Sequence, residues 1–116
     1  MEIKKPSTDL LQNTEYRNGV WGVSKELSGA VSQVQVNCAK WEIEGPRTDQ
    51  TREHLQGINT VSPKGIVIIG KTSQLDNLDK KNSFDRYRRE IHNPEIITYD
   101  ELYARARFIV EEHTAV

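Results

Sequence analysis

The sequence predicts a single α/β domain, on three observations. Gly65-Ile66-Val67-Ile68-Ile69-Gly70 is apolar and β-branched between two glycines, as a strand covered on both faces requires. Leu27, Val31, Val34, Cys38 and Trp41 recur at helical spacing and form one apolar face. Segments of the two kinds alternate along the chain, the order of a sheet with parallel neighbours. The 116 residues fit one domain, so residues 1–116 are read as a single unit.

Taken in order, residues 2–4 read as the end of a short strand stopped by Pro6. Side chains alternate there, so Glu2 and Lys4 share a face and Ile3 points to the opposite layer. Residues 6–23 are polar, carry Pro6, Gly19 and Gly22, and read as a long loop of the kind that is often functional. Ser24 caps a helix that runs to about residue 42 or 43, before Gly45-Pro46. Gly29 within it either weakens the helix or admits a close neighbour. Residues 46–64 are polar, with one helical turn around Thr51–Leu55. After the strand at 65–70 comes a polar loop over 71–82. Ser83 then caps a short helix with Phe84, Tyr87 and Ile91 inward, and Asn93-Pro94 ends it. Ile96-Ile97 is a short strand. Thr98 and Glu101 have the spacing of a capping box, and Ile97 and Leu102 that of a hydrophobic staple. The last helix, 99–112, turns Leu102, Ala106, Ile109 and Val110 inward.

Only 35% of residues are hydrophobic and the mean hydropathy is −0.70. A thin core follows, or a piece that packs on a partner. Net charge is −1 and the pI about 6.3, so any nucleic-acid contact has to come from a local basic patch. Cys38 is the single cysteine, which leaves no intrachain disulfide and suits a reducing cytoplasm. No signal peptide and no apolar run of transmembrane length is present, so no membrane partner is expected.

Three groups carry possible chemistry. Glu2 and Lys4 are either a solvated ion pair, worth little, or a metal-binding carboxylate beside a lysine that orients water or stabilises charge on phosphate. Alone, Glu-x-Lys recurs by chance in many proteins. Gln33, on the first long helix, has an amide able to reach a phosphate or a water, although most helical glutamines are simply solvated. Lys80, Lys81, Arg86, Arg88 and Arg89 cluster around the short helix with Tyr87 among them. Arg86 and Arg89 share a face and are placed for phosphates. The alternative is a solvated helix face with pairs such as Asp85–Arg89. His54, His92 and His113 lie in separate elements without metal-ligand spacing, and Cys38 sits on an apolar face suited to core packing.

In combination, "EIKKP", "YRNG", "LSGAVSQVQ", "PKGIVIIGK" and "IITYDELYARARFIVE" resemble the C-terminal nuclease domain of the Shedu family of bacterial anti-phage defence proteins, within the PD-(D/E)XK superfamily. The resemblance runs from about Glu2 to Val110. It implies a partial PD-(D/E)XK restriction-endonuclease-like fold, with a short mixed sheet flanked by helices. It also implies cleavage of DNA with Mg²⁺ or Mn²⁺, with Glu2 as metal ligand, Lys4 positioning water or phosphate, and Gln33 lining the site. Lys80, Lys81, Arg86 and Arg89 are the residues expected to meet DNA, and a homo-oligomer is the expected state. Two features depart from the pattern. The acidic ligand expected on a preceding strand lies outside this sequence, which reads as N-terminally truncated, with Asp9, Glu15 or a second subunit as substitutes. Asn37 stands where an aromatic usually follows the helix glutamine by four residues. The alternative function is an inactive remnant that serves assembly or DNA binding, with an exposed sheet edge.

Overall fold

The computed structural model describes residues 1–44 and 63–114. The turn expected near Thr51–Leu55, the helix stop at Gly45-Pro46 and His54 lie outside the described residues. The elements are β1 (Glu2–Ile3), α1 (Lys25–Glu44), β2 (Ile66–Ile68), a 3-10 turn (Thr72–Gln74), α2 (Leu78–Glu90), β3 (Glu95–Ile97) and α3 (Tyr99–Thr114). The strands form one sheet in the order β1-β2-β3. Both pairings are parallel, so the described sheet is not mixed as expected. Each connection between neighbouring strands carries a helix, and such a crossover lays the two strands parallel.

The register sets two faces. Glu2 pairs with Val67 and Val67 with Ile96, so these three point to one side. That side is the core. Val67, Ile69 and Ile96 pack with Leu27, Ala30, Val31 and Val34 of α1 and with Phe84 of α2. Burying a side chain such as Leu27 or Phe84 fully stabilises the fold by about 1.5–3 kcal/mol each. On the other side Ile68 and Ile97 are buried, but Ile3, in the same row, is 61% exposed. Ile3 does point away from Glu2 and Lys4 as alternation requires, yet it lies on an edge strand and no layer covers it.

Helix ends follow local chemistry. Ser24 Oγ accepts from Leu27 N–H at 3.0 Å, the expected cap of α1. α2 starts six residues before the expected position, because Asn77 Oδ1 takes Lys80 N–H at 2.8 Å. Ser83 is therefore inside the helix, and its hydroxyl accepts from Trp21 N–H at 3.1 Å. The capping box of α3 forms as read: Glu101 Oε1 accepts from Thr98 N–H at 3.0 Å, and Thr98 Oγ1 accepts from Glu101 N–H at 3.4 Å.

Residues 6–23 are the expected loop, without a helix or strand, but an ordered one, and the inward faces expected of Trp41 and α3 are corrected. Leu11 and Val23 form an antiparallel bridge, Gln12 N–H bonds Gly22 O at 2.8 Å, and Leu10 is fully buried in the core. Trp41 on α1 is 53% exposed. Val34 already lies over Gly65, where a Cβ would collide with it, so the helix beyond Val34 runs past the start of β2. Gly29, by contrast, has nothing within 4 Å of a Cβ position and admits no close neighbour. The inward face expected for α3 is exposed: Leu102 at 37%, Ile109 at 54% and Val110 at 60%, with Ala106 also exposed. Sixteen helical residues span about 24 Å, whereas three strand residues span about 10 Å, so the sheet is too short to cover the helix.

Candidate functional site

Glu2 and Lys4 come together on the core-facing side of β1. Lys4 Nζ lies 3.9 Å from Glu2 Oε1, with both side chains about one-third exposed. Their position follows from the backbone: Lys4 N–H continues the ladder to Ile68 O at 2.8 Å, which holds the pair in the alternation expected of a strand. At this separation and exposure an ion pair alone stabilises little. The two groups are thus free to exchange each other for water, a cation or a phosphate.

The carboxyl ends of β1 and β2 are tightly held. Gly70, at φ +63°, approaches Leu10 and Thr8 so closely that a Cβ would lie 2.7 Å from Leu10 Cδ2. The Gln74 amide pins the following segment, accepting from Leu10 N–H at 2.8 Å and donating to Thr8 O at 2.9 Å. Beside it opens a cavity of about 550 Å³ lined by Pro6, Ser7, Asp9, Lys71, Ser73 and Gln74. Parallel α/β sheets bind ligands at this end of their strands. Asp9 therefore borders the cavity. Glu15, the other acid considered as a substitute ligand, accepts from Gly19 N–H at 3.0 Å in a turn of the 6–23 segment.

Gln33 is exposed on α1, and its amide donates to Asn37 Oδ1 at 3.1 Å. Asn37, in place of the usual aromatic, thus takes the amide along the helix. Gln35, about 200° around the helix from Gln33, donates to Asn93 O at the start of β3. The flank with Gln33 consequently faces away from β3, toward the edge that carries β1. Glu26, two helical turns before Gln33 on that flank, is also exposed. The sequence carries no local signal that singles it out, since an acid in a first helical turn also suits the helix dipole.

The basic run divides. Lys80 is engaged inside the fold: its ammonium lies 3.0 Å from Asp76 and 4.7 Å from the centre of a Trp21 ring. Arg88 joins α2 to α3, with Glu101 at 2.5 Å and Asp85 at 3.2 Å. Asp85 thus pairs with Arg88 and not with Arg89 as expected. Lys81, Arg86 and Arg89 are exposed. Arg88 also reaches Ile96 O, which ties this end of α2 to β3, the strand at the other side of the sheet from β1.

The first turn of α3 carries the clearest electrostatic effect. Partial burial pushes Asp100 up, but hydrogen bonds from the Thr72 hydroxyl, Thr98 and Thr72 N–H outweigh it and hold its pKa at about 2. For Glu101 burial likewise raises, and the Arg88 and Thr98 bonds prevail and lower it. A folded pKa below the unfolded ~3.9 for Asp contributes stability that is present above about pH 4 and is lost as pH falls toward 2. Asp100→Asn is expected to lower the Tm at pH 7 and to leave it unchanged near pH 2. Thermal melts of both proteins across that range check this, and parallel curves would exclude a role for the Thr72–Asp100 contact.

Among the described residues no three His, Cys, Asp or Glu side chains gather as a metal site. Glu2 is therefore a single carboxylate, and a Mg²⁺ held there would be bound weakly unless water, phosphate or a further acid supplied its other ligands. Among the described residues no helix is long and apolar enough to cross a membrane. The family described as "Shedu protein SduA, C-terminal" matches residues 1–103, covering Glu2, Lys4, Gln33 and the whole sheet. The Shedu protein SduA of Bacillus cereus (strain B4264) is 37% identical over 115 residues, 96% of this chain and 30% of that protein. The chain thus spans about a third of the length of the curated relative it matches, and by its sequence it belongs to the Shedu SduA C-terminal family.

Proposed function

We propose that the chain is the DNA-cleaving domain of a cytoplasmic bacterial anti-phage defence protein, a metal-dependent endonuclease with a PD-(D/E)XK-type centre. The observation that carries this reading is the Glu2–Lys4 pair, side by side on one face of the edge strand, in a chain of this family. Glu2 would hold Mg²⁺ or Mn²⁺, which when bound polarises the phosphate and its attacking water. Lys4 stabilises the charge that develops on the phosphate oxygens. Gln33 would reach the site from its flank of α1 by releasing Asn37, to which its amide donates. A second carboxylate would come from Asp9, which borders the neighbouring cavity, from Glu15, or from another subunit of a homo-oligomer. The test is cleavage of duplex DNA by this chain with Mg²⁺ or Mn²⁺. Metal-dependent cutting supports the reading, and intact DNA with both metals contradicts it for this chain.

DNA contact is assigned to Arg86, Arg89 and Lys81, with Lys71 at the cavity that Asp9 also lines. Lys80 contributes least, since Asp76 and Trp21 occupy its ammonium. Arg86→Ala with Arg89→Ala is expected to weaken DNA binding and to reduce the slope of log K against log salt by about 1.8, roughly 0.9 per phosphate lost. Lys80→Ala is expected to lower the Tm and leave that slope nearly unchanged. Filter binding at several salt concentrations, without metal, measures both.

A second reading, an assembly or DNA-contact module without catalysis, is favoured by the apolar residues that α3 leaves exposed. Leu102, Tyr103, Ile109 and Val110 lie on one side of that helix and would bury against a second copy. Light scattering that shows a stable oligomer, together with intact DNA, would favour it.

A further inference from the structure

We infer that Tyr99 is a positioning residue for Lys4, acting through the Lys4 main-chain carbonyl; this rests on the nuclease reading above. β1 is two residues long, lies at the sheet edge and is paired along one side by β2. Its hold on the Lys4 peptide is therefore a matter of very few bonds. Lys4 N–H donates to Ile68 O at 2.8 Å. In a regular parallel ladder the next rung would run from Gly70 N–H to Lys4 O. Gly70 has left the strand conformation, at φ +63°, and its N–H goes to Lys5 O at 3.2 Å instead.

The Lys4 carbonyl takes its donor from a side chain. The Tyr99 hydroxyl reaches it at 2.5 Å across 95 residues of sequence, while Tyr99 N–H donates to Gly70 O at 2.9 Å. Tyr99 thus replaces the missing rung and closes the end of the β1–β2 ladder from the first turn of α3. That turn is itself anchored by Thr72–Asp100 and Arg88–Glu101. Without the phenol, the Lys4 carbonyl loses its donor, and its peptide keeps only the Lys5 N–H bond to Thr8 Oγ1 and the flanking rungs at Lys4 N–H and Lys5 O; this looser hold lets the ammonium move out of line with Glu2. Misplacement of a catalytic group by about 1 Å costs on the order of 10²-fold in rate.

A double-mutant cycle tests this. Single-turnover DNA cleavage with Mn²⁺ and metal-free DNA affinity are measured for the wild type, Tyr99→Phe, Lys4→Ala and the double variant. Residual rates are followed over hours. Tyr99→Phe keeps the ring and removes one hydroxyl. It is expected to slow cleavage by about 10–100-fold with unchanged affinity, and to cost nothing further once Lys4 is alanine. Thr72→Val, which loosens the same turn without touching Lys4, is expected to lower the Tm and keep the rate. An equal loss from Tyr99→Phe in both backgrounds, no loss at all, or the same loss from Thr72→Val each overturns the role of Tyr99 and leaves the nuclease reading standing. A wild type that does not cut overturns both.

Discussion

Glu2→Ala is expected to abolish DNA cleavage, with a loss on the order of 10³-fold or more. Among the described residues Glu2 is the carboxylate paired with Lys4, so on the proposed reading its removal takes away the metal's protein ligand on β1. Metal charge stabilisation is worth several kcal/mol, and ~4 kcal/mol corresponds to about 10³-fold in rate. Lys4→Ala removes one preorganised cation and is expected to cost about 10²–10³-fold. The two differ in metal dependence. Raising Mn²⁺ should recover part of the activity of a Glu2→Gln variant, which keeps an oxygen ligand, and none of that of Lys4→Ala. Both side chains are partly exposed and contribute little to stability, so the Tm should move by no more than a few degrees. A large fall in Tm would mean that lost activity reports unfolding, and undiminished cleavage by Glu2→Ala would remove Glu2 from the site.

Phe84→Ala is expected to destabilise the fold by about 3–5 kcal/mol, a large part of the 5–15 kcal/mol that holds a typical domain. Phe84 is fully buried where α1, α2 and the sheet meet, and the Arg88 guanidinium lies 4.8 Å from its ring centre. Truncation leaves a cavity and removes the surface on which Arg88 rests as it joins α2 to α3. Phe108 is the internal control. It has the same side chain, but it is 66% exposed on α3, and Phe108→Ala is expected to stay within about 0.5 kcal/mol. Urea unfolding of the two variants separates them. Equal effects would mean that the Phe108 side of α3, opposite Leu102 and Val110, is also covered in solution.

The elements whose signal is local were legible in the sequence. The run Gly65–Gly70 reads as a two-sided strand because β-branched residues follow one another without a polar break. α1 reads from Ser24 and the spacing of Leu27, Val31 and Val34. The Thr98–Glu101 box reads from residues three apart. What was misread depended on where neighbours end. Leu10 and Leu11 stand in a polar stretch, and nothing local shows that β2 and α1 close over them. The row Leu102, Ala106, Ile109, Val110 has the period of a buried face, but periodicity states which residues share a side and not whether anything covers it. Asn77 and Ser83 are both capable caps, and Trp21 decided between them by taking the Ser83 hydroxyl.

The same division runs through the candidate site. By itself the sequence determined that Glu2 and Lys4 share a face, because alternation in a strand is fixed by backbone geometry. Tertiary structure alone decided that this face meets α1, that Lys80 is bound by Asp76 and Trp21 while Arg86 and Arg89 face solvent, and that Tyr99 holds the Lys4 carbonyl. These contacts join residues far apart in the chain, and their partners are selected by the register of short strands, which no local pattern encodes.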